Sequence, residues 1–335
     1  MDNRVTRKRL SDFLAYEWIF VIIICVLSIV VWELVYMVGE VRLTVGQNFK
    51  FYYDQTIDNK DGKLYSLISD KSISYDILSL DYELLSEKYN VLSSRLVLKE
   101  GDILITDCKQ DYTQPEDGSQ PQPLQVRLKS AVDNLYGYSF NQMLIDAQTY
   151  LRDNFIKDDK KAVAFDGCDY DNLDQDKIAL VFRNRMKKDN RFRTEVQIQN
   201  GIELEKGRVQ KLYKEVIDFQ KLLSLKDSKP DLFFIYTKGE QNLQFADDRD
   251  KPYYQSIVKN EENSNRKNNI YALKVNALAT QGKTDPSTYF TMNDKQSAED
   301  VCIMAFNFRS AQPHLQYECI CFINTIVREC SDLLD

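Results

Sequence analysis

The N-terminal apolar run constrains this chain more than any other feature. Trp18–Val38 comprises 21 residues, and Glu33 is its only charged member. At about 1.5 Å per residue, a helix of this length crosses the roughly 30 Å hydrocarbon core of a bilayer. Trp18 at one end, and Trp32 and Tyr36 at the other, suit the two interfacial layers. The run therefore predicts a transmembrane helix over residues 18–38.

The charges next to this run predict its orientation. Residues 1–17 form a basic tail with four cations, Arg4, Arg7, Lys8 and Arg9. Such a tail stays in the cytoplasm, which places the C-terminal domain outside the cell. The predicted location is the cell membrane, with a single pass. A cleaved signal peptide is the alternative, but no small-x-small site follows the run, and Ile22–Ile24 supplies no small residue before Cys25 for a lipoprotein box.

Composition and motifs narrow the chemistry. A net charge of −7 argues against a nucleic-acid partner. His314 is the single histidine, which excludes mechanisms that need two. The chain has no G-x-S-x-G, H-E-x-x-H or P-loop motif. An EF-hand loop that begins at Asp169 would place Asp174 where glycine is required. We therefore predict no enzyme, no metal site and no cofactor.

The first part of the exported region, residues 48–109, alternates between strand and helix patterns. Predicted strands cover Phe49–Asp54, Tyr75–Asp81 and Asp102–Asp107. Predicted helices cover Gly62–Asp70 and Tyr82–Leu98. A strand–helix–strand–helix–strand order predicts an α/β fold whose strands run parallel and are joined by right-handed crossovers.

Three further segments complete the chain. Residues 110–124 contain three prolines and are predicted to form a linker. Residues 125–228 show a mostly helical pattern, which predicts a large helical insertion or a second lobe. Residues 229–335 return to the α/β pattern, with strands at 231–238, 269–278 and 300–308 and a terminal helix after Pro313.

Each of the first three predicted strands ends in an aspartate: Asp54, Asp81 and Asp107. Ligands of open parallel sheets bind beyond the carboxyl ends of the strands. Carboxylates there can accept hydrogen bonds from sugar hydroxyls, and Tyr53 and Tyr236 can supply aromatic faces. These five residues are the predicted ligand site. The alternatives are that Asp81 caps the next helix and that Asp54 only opens its loop.

A basic run lies within the helical region. It comprises Arg183, Arg185, Lys187, Lys188 and Arg191. We predict that it docks onto anionic lipid head groups or onto an acidic face of a partner. A solvated helix end is the alternative.

The strands carry a family resemblance. The order "FKFYYD" (49–54), "YDILSLD" (75–81) and "EGDILITD" (100–107) resembles the first lobe of extracytoplasmic solute-binding proteins of bacterial sugar ABC importers. The segments 89–107 and 314–330 are also similar to single-pass bacterial membrane proteins from sugar-transporter gene neighbourhoods. The resemblance implies a periplasmic-binding-protein-like domain of type 2, interrupted by the helical insertion.

The same resemblance implies a function and partners. The chain is then a membrane-tethered binding or accessory module for carbohydrate ABC transport. Its partners would be the membrane, transporter permease subunits and a sugar or oligosaccharide. The alternative is an envelope scaffold or sensor that binds no ligand and docks partners through the helical insertion.

Overall fold

The computed structural model describes residues 6–16, 18–39, 47–54, 57–85, 101–107, 137–163, 170–236, 269–293, 296–306 and 317–335. The chain forms two compact units, Met1–Leu43 and Thr44–Asp335. The predicted linker at 110–124 lies outside the described residues.

The first unit is helical. It contains α1 (Arg7–Tyr16) and α2 (Trp18–Gly39). Within α2, Trp18–Tyr36 is long and apolar enough to cross a membrane, and no other helix of the described part meets that standard. The side chains of this span are exposed. The predicted apolar helix is confirmed, while its orientation remains a prediction.

The second unit is built around a mixed sheet. The described strands are β1 (Asn48–Asp54), β2 (Ile57–Asp58), β3 (Ser79–Leu85), β4 (Ile103–Asp107), β5 (Gly137–Tyr138), β6 (Phe233–Tyr236), β7 (Asn269–Lys274), β8 (Thr291–Met292) and β9 (Val301–Phe306). Seven of them form a sheet in the order β3-β1-β4-β9-β7-β6, with β5 beside β9. The strands β2 and β8 pair separately.

The strand directions divide the sheet into two halves. In the first half, β1 runs parallel to both β3 and β4, as the sequence predicts. In the second half, β9 pairs antiparallel with β4 and with β7, and β6 pairs antiparallel with β7. The predicted α/β class is confirmed in this mixed form.

Helices complete the second unit. They are α3 (Lys63–Lys71), α4 (Phe140–Phe155), α5 (Gln175–Arg185), α6 (Glu195–Ser224) and α7 (Tyr317–Cys330). Side chains cap three of their N-termini. Ser139 caps α4, Asp174 caps α5, and Thr194 forms a capping box with Gln197 at the start of α6. The helices α4, α5 and α6 lie within the predicted segment 125–228.

The sequence prediction was wrong around β3. Residues 74–77 form a turn in which Ile77 donates its backbone N–H to the Ser74 carbonyl, Leu78 then donates to the Gln47 carbonyl, and the strand begins only at Ser79. Residues 82–85 end this strand, so Asp81 does not cap a helix there. Leu84 is exposed while Leu85 is buried, which is the alternation of a strand. The rest of the helix predicted up to Leu98 lies outside the described residues.

One face of the sheet packs against the helices. Alternate residues of β1, Phe49 and Phe51, lie with their ring centroids 6.0 and 5.8 Å from that of Phe322 on α7. Buried residues of α3, α4, α6 and α7 belong to the same continuous apolar core as this face of the sheet. The described helices of residues 125–228 therefore share the core of the sheet.

The start of β4 joins three strands. Lys50 of β1 donates its backbone N–H to the Asp102 carboxylate at 2.8 Å. The Asp102 carbonyl accepts the N–H of Phe306 in β9 at 3.0 Å. Just before it, Gly101 has φ +108°, and a Cβ there would lie 2.3 Å from Cε2 of Tyr52. Glycine is required at this position both by the backbone angle and by the close approach.

We expect Gly101→Ala to lower the free energy of unfolding by about 2–4 kcal/mol, since it combines a positive φ with overpacking. Gly62→Ala is the matched control, because Gly62 has φ +73° but open space around its Cα. This control should cost about 1 kcal/mol. Urea unfolding of the full chain in detergent micelles measures both, and equal losses would contradict the predicted clash.

Candidate functional site

The predicted strand-end site is partly assembled. Asp54 and Asp107 end the neighbouring parallel strands β1 and β4, so they lie at the same edge of the sheet. Thr106 donates its hydroxyl to the Asp54 carboxylate at 3.1 Å. Asp107 is only 3% exposed. The structure thus places two of the three predicted aspartates at one edge of the sheet, with their side chains on opposite faces, and it buries Asp107.

The other predicted ligand residues lie elsewhere. Asp81 is exposed within β3 and faces Lys50 in the register, four positions before the last residue pair, Asp54 and Leu85. Three successive antiparallel pairings make β6 run opposite to β4, so its last residue, Tyr236, lies at the other edge of the sheet. The structure does not bring Asp81 and Tyr236 to the edge that holds Asp54.

Tyr53 belongs to the apolar core. Its ring is 1% exposed and meets Phe51 and Tyr82 edge-on, with centroid separations of 5.6 and 6.1 Å. Burial, helped by the neighbouring Tyr82, raises the pKa of the Tyr53 phenol well above its ordinary value. The environment is therefore that of a packed core tyrosine.

The basic run is split between surface and interior. Lys187 and Lys188 are exposed, as is Arg183, whose Nη2 pairs with Glu195 at 2.7 Å. The side chain of Arg185 turns inward and is 15% exposed. Arg191 pairs with Asp189 at 2.8 Å and donates to the Tyr75 carbonyl at 2.9 Å. Three of the five residues, Arg183, Lys187 and Lys188, thus lie at the surface.

The inward turn of Arg185 leads to a buried charge cluster that the sequence did not reveal. Its members are Asp76, Arg185, Glu205, Arg208 and Glu318. They come from the turn after α3, the end of α5, the middle of α6 and the start of α7. The cluster therefore ties together four elements that are distant in the sequence.

Glu205 lies at the centre of the charge cluster and is fully buried. One carboxylate oxygen accepts from Arg185 Nη2 and the Tyr75 hydroxyl, each at 2.6 Å, and from Arg208 Nε at 2.9 Å. The other oxygen accepts from Arg208 Nη2 at 2.9 Å. Arg185 also donates through Nη1 to Asp76. Such charge-assisted bonds are the strong class of hydrogen bond.

The electrostatics of these partners are mutually dependent. Burial alone would raise the pKa of Glu205, but the Arg208 and Arg185 guanidiniums outweigh it and hold that pKa below its ordinary value. Burial alone would lower the pKa of Arg208, but Glu205 keeps it well above its usual range. Each charge is thus held in place by the others, as a buried ion pair requires.

Glu318 is different from the other carboxylates of the cluster. It lies in the first turn of α7, and its described hydrogen bond is from the Ser74 hydroxyl, at 2.9 Å. Burial raises its pKa to about 7, the Asp76 carboxylate adds to this rise, and Arg208 and the Ser74 hydrogen bond oppose it. Glu318 therefore changes its charge near neutral pH.

A second set of polar side chains joins α7 to α6 closer to the C-terminal ends of both helices. Arg328 donates to Glu215 at 2.7 and 3.0 Å and to Asp218 at 2.8 Å. Asn324 donates to both the carbonyl and the carboxylate of Glu215, at 2.8 and 2.7 Å. Burial would lower the pKa of Arg328, but these carboxylates raise it. The whole length of α7 is thus held by polar contacts as well as by apolar packing.

The sequence held one weak signal for the charge cluster. Glu205 and Arg208 are three residues apart and flank the apolar stripe that begins at Val209. A surface salt bridge has the same spacing, so the pattern alone does not separate the two. The described residues contain no group of three or more His, Cys, Asp or Glu side chains that could hold a metal ion. Chemically, the cluster can exchange a proton and can hold helices together.

Comparisons with known proteins add nothing to this description. No protein-family model matches the chain, and neither a curated protein nor a solved structure matches it.

We expect Arg208→Met to cost roughly 3–5 kcal/mol of stability, because it leaves the Glu205 carboxylate buried with half of its compensation removed. Arg183→Met is the control. Its partner Glu195 is exposed, so the control should leave stability almost unchanged. Urea unfolding of the full chain, followed by circular dichroism, measures both. Equal losses of stability in the two variants would show that the buried ion pair contributes no more to stability than the exposed one.

Proposed function

We propose that this protein is a single-pass membrane-tethered scaffold or sensor that is not an enzyme. Its C-terminal domain docks an acidic partner face through the turn between α5 and α6. The observation that carries the proposal is that some residues of the basic run are exposed while others are bound to the domain. Lys187 and Lys188 are exposed in this turn, while Arg185 and Arg191 anchor the turn to the domain.

The membrane part of the proposal rests on α2 and on the basic tail before it. The tail favours a cytoplasmic N-terminus and an extracytoplasmic domain. Residues 40–47 separate α2 from β1. A chain of that length reaches at most about 30 Å. A membrane protein is therefore the accessible class of partner, and the family resemblance implies a transporter permease subunit.

The docking part rests on charge. Lys187, Lys188 and Arg193 are exposed, and none of them has an acidic partner among the residues that the structure describes. The chain as a whole is acidic, with a net charge of −7, so this turn is a local exception. Opposite charge on a partner would speed the encounter and set its orientation.

We expect a photo-crosslinking residue at position 187 or 188 of the full chain, in its own cells, to form an adduct with a membrane protein. The crosslinked peptide should be acidic, and the yield of the adduct should fall when isolated membranes are irradiated at high salt, because exposed charges are screened. When the crosslinking residue is at position 188, Lys187→Glu should abolish the adduct. The matched control is the pair Lys63→Glu and Lys214→Glu, which changes exposed lysines on α3 and α6. An adduct with lipid alone, or one unaffected by Lys187→Glu, would contradict the proposal.

A second candidate function has its own support. Asp54 and Asp107 share the strand-end edge, as expected for a sugar-binding module of the periplasmic-binding type. This function predicts that a mono- or oligosaccharide, well above its dissociation constant, raises stability by a few kcal/mol. A thermal-shift screen of the full chain measures this. Asp54→Asn should remove the shift, while Asp81→Asn, away from the edge, should keep it. No shift with any sugar would rule this candidate out.

A further inference from the structure

The charge cluster contains more negative than positive groups. Asp76 and Glu205 balance Arg185 and Arg208 through direct contacts. Glu318 is a third carboxylate, it is 3% exposed, and its described hydrogen bond comes from a neutral hydroxyl. With a proton on Glu318 the five groups sum to zero charge. Without it they carry one uncompensated negative charge in the interior, which is costly.

The groups around Glu318 come from every element that packs there. The turn after α3 contributes Ser74, Tyr75 and Asp76, and α5 contributes Arg185. The helix α6 contributes Glu205 and Arg208, and Tyr150 of α4 lies close to both. Next to Glu318 on α7, Tyr317 has its ring 5.6 Å from the Arg208 guanidinium. Burial and the Asp76 carboxylate disfavour the ionisation of Glu318, and the Arg208 guanidinium is the group that favours it most strongly.

The Arg208 guanidinium has several partners. Nε and Nη2 both bind Glu205 and Tyr150 also hydrogen-bonds the side chain, while Nη1 is buried without a hydrogen bond among the described residues. An ionised Glu318 would attract this guanidinium and compete with Glu205 for it. Ionisation therefore does more than add charge, because it can redistribute the contacts that hold α6, α7 and the turn after α3 together.

We propose that the charge cluster is a proton-operated latch. A proton on Glu318 keeps the first turn of α7 locked against residues 74–76 and α6, and loss of that proton loosens this contact. The reaction is a simple acid dissociation, in which the carboxyl group releases its proton to water and keeps the bonding electron pair.

The direction of the pH effect follows from the pKa of Glu318. That pKa is about 7 in the folded protein, above its ordinary value of 4.5. The folded state therefore holds the proton more tightly than the unfolded state does. The stabilisation is complete in mild acid and is lost as the pH rises from about 4.5 through about 7.

The charge cluster is also connected to the exposed lysines of the turn between α5 and α6. Arg185 belongs to the cluster and ends α5, and Arg191 binds the backbone of Tyr75 next to Asp76. The exposed lysines lie between these two arginines in the sequence. Regulation of docking by pH is a consequence that rests on the proposed function. The latch itself concerns the interior of the domain and is tested separately.

The first test follows the melting temperature of the full chain in nanodiscs from pH 5 to pH 8. We expect it to fall by roughly 5 °C across this window. Glu318→Gln mimics the protonated carboxyl and should have a flat profile. Glu329→Gln is the control on the same helix. Lys71 already lowers the pKa of Glu329, so this variant should follow the parent chain. Parallel profiles for the parent and Glu318→Gln would overturn the proposal.

The second test locates the change by hydrogen–deuterium exchange. At pH 8, residues 72–78 and 317–323 should exchange several-fold faster in the parent than in Glu318→Gln, and the two proteins should match at pH 5.5. Comparison at equal pH removes the intrinsic pH dependence of exchange. The helix α4 should exchange equally in both proteins. A difference spread evenly over the domain, or none at pH 8, would contradict a local latch even if the melting profile changed. Crosslinking at position 187 plays no part in either test, so failure of docking and failure of the latch are distinguishable.

Discussion

The second unit depends on the parallel packing of α6 and α7. Buried polar contacts join the two helices at a nearly constant offset, since Asn324 lies 109 residues after Glu215 and Arg328 lies 110 after Asp218. The contact between Tyr317 and Arg208 follows the same register. Apolar side chains alone would tolerate a slip by one turn. A slip here would leave buried charges without partners, so these contacts specify a single register.

The helix α7 of this pair also packs against the sheet. Phe322 of α7 packs against two rings of β1, and Thr325 accepts the Ser72 hydroxyl at 2.8 Å after α3. The last helix of the chain thus covers the first strand of the domain. Contacts of such long sequence separation form late and slowly. The contacts of β1 with Phe322 join segments that are more than 250 residues apart in the sequence.

Local patterns were enough for some elements and inadequate for others. The strands β1, β4 and β9 were predictable because each is an apolar run bounded by polar residues. The end of β3 was not, since an edge strand with an exposed Leu84 beside a buried Leu85 resembles a helical stripe. The sequence did not separate the buried member of the basic run from the exposed ones, because Arg185 is buried through its ion pairs with Asp76 and Glu205, which are distant in the sequence. A buried ion pair between distant segments leaves no local signal, so the charge cluster was beyond sequence reasoning.

The charge cluster is an unfavourable way to gain stability. Buried ion pairs seldom stabilise a fold more than apolar side chains of the same shape, because desolvation offsets most of the attraction. An extra carboxylate in the same place adds to the cost whenever it ionises. What an apolar core cannot provide is a response to pH, since it has no group that titrates. The third carboxylate is unnecessary for fixing the register of α6 and α7, which the contacts of Asn324 and Arg328 with Glu215 and Asp218 already set. Its burial within the electrostatic reach of Asp76 and Arg208 is explained if the domain changes its internal contacts when Glu318 loses its proton.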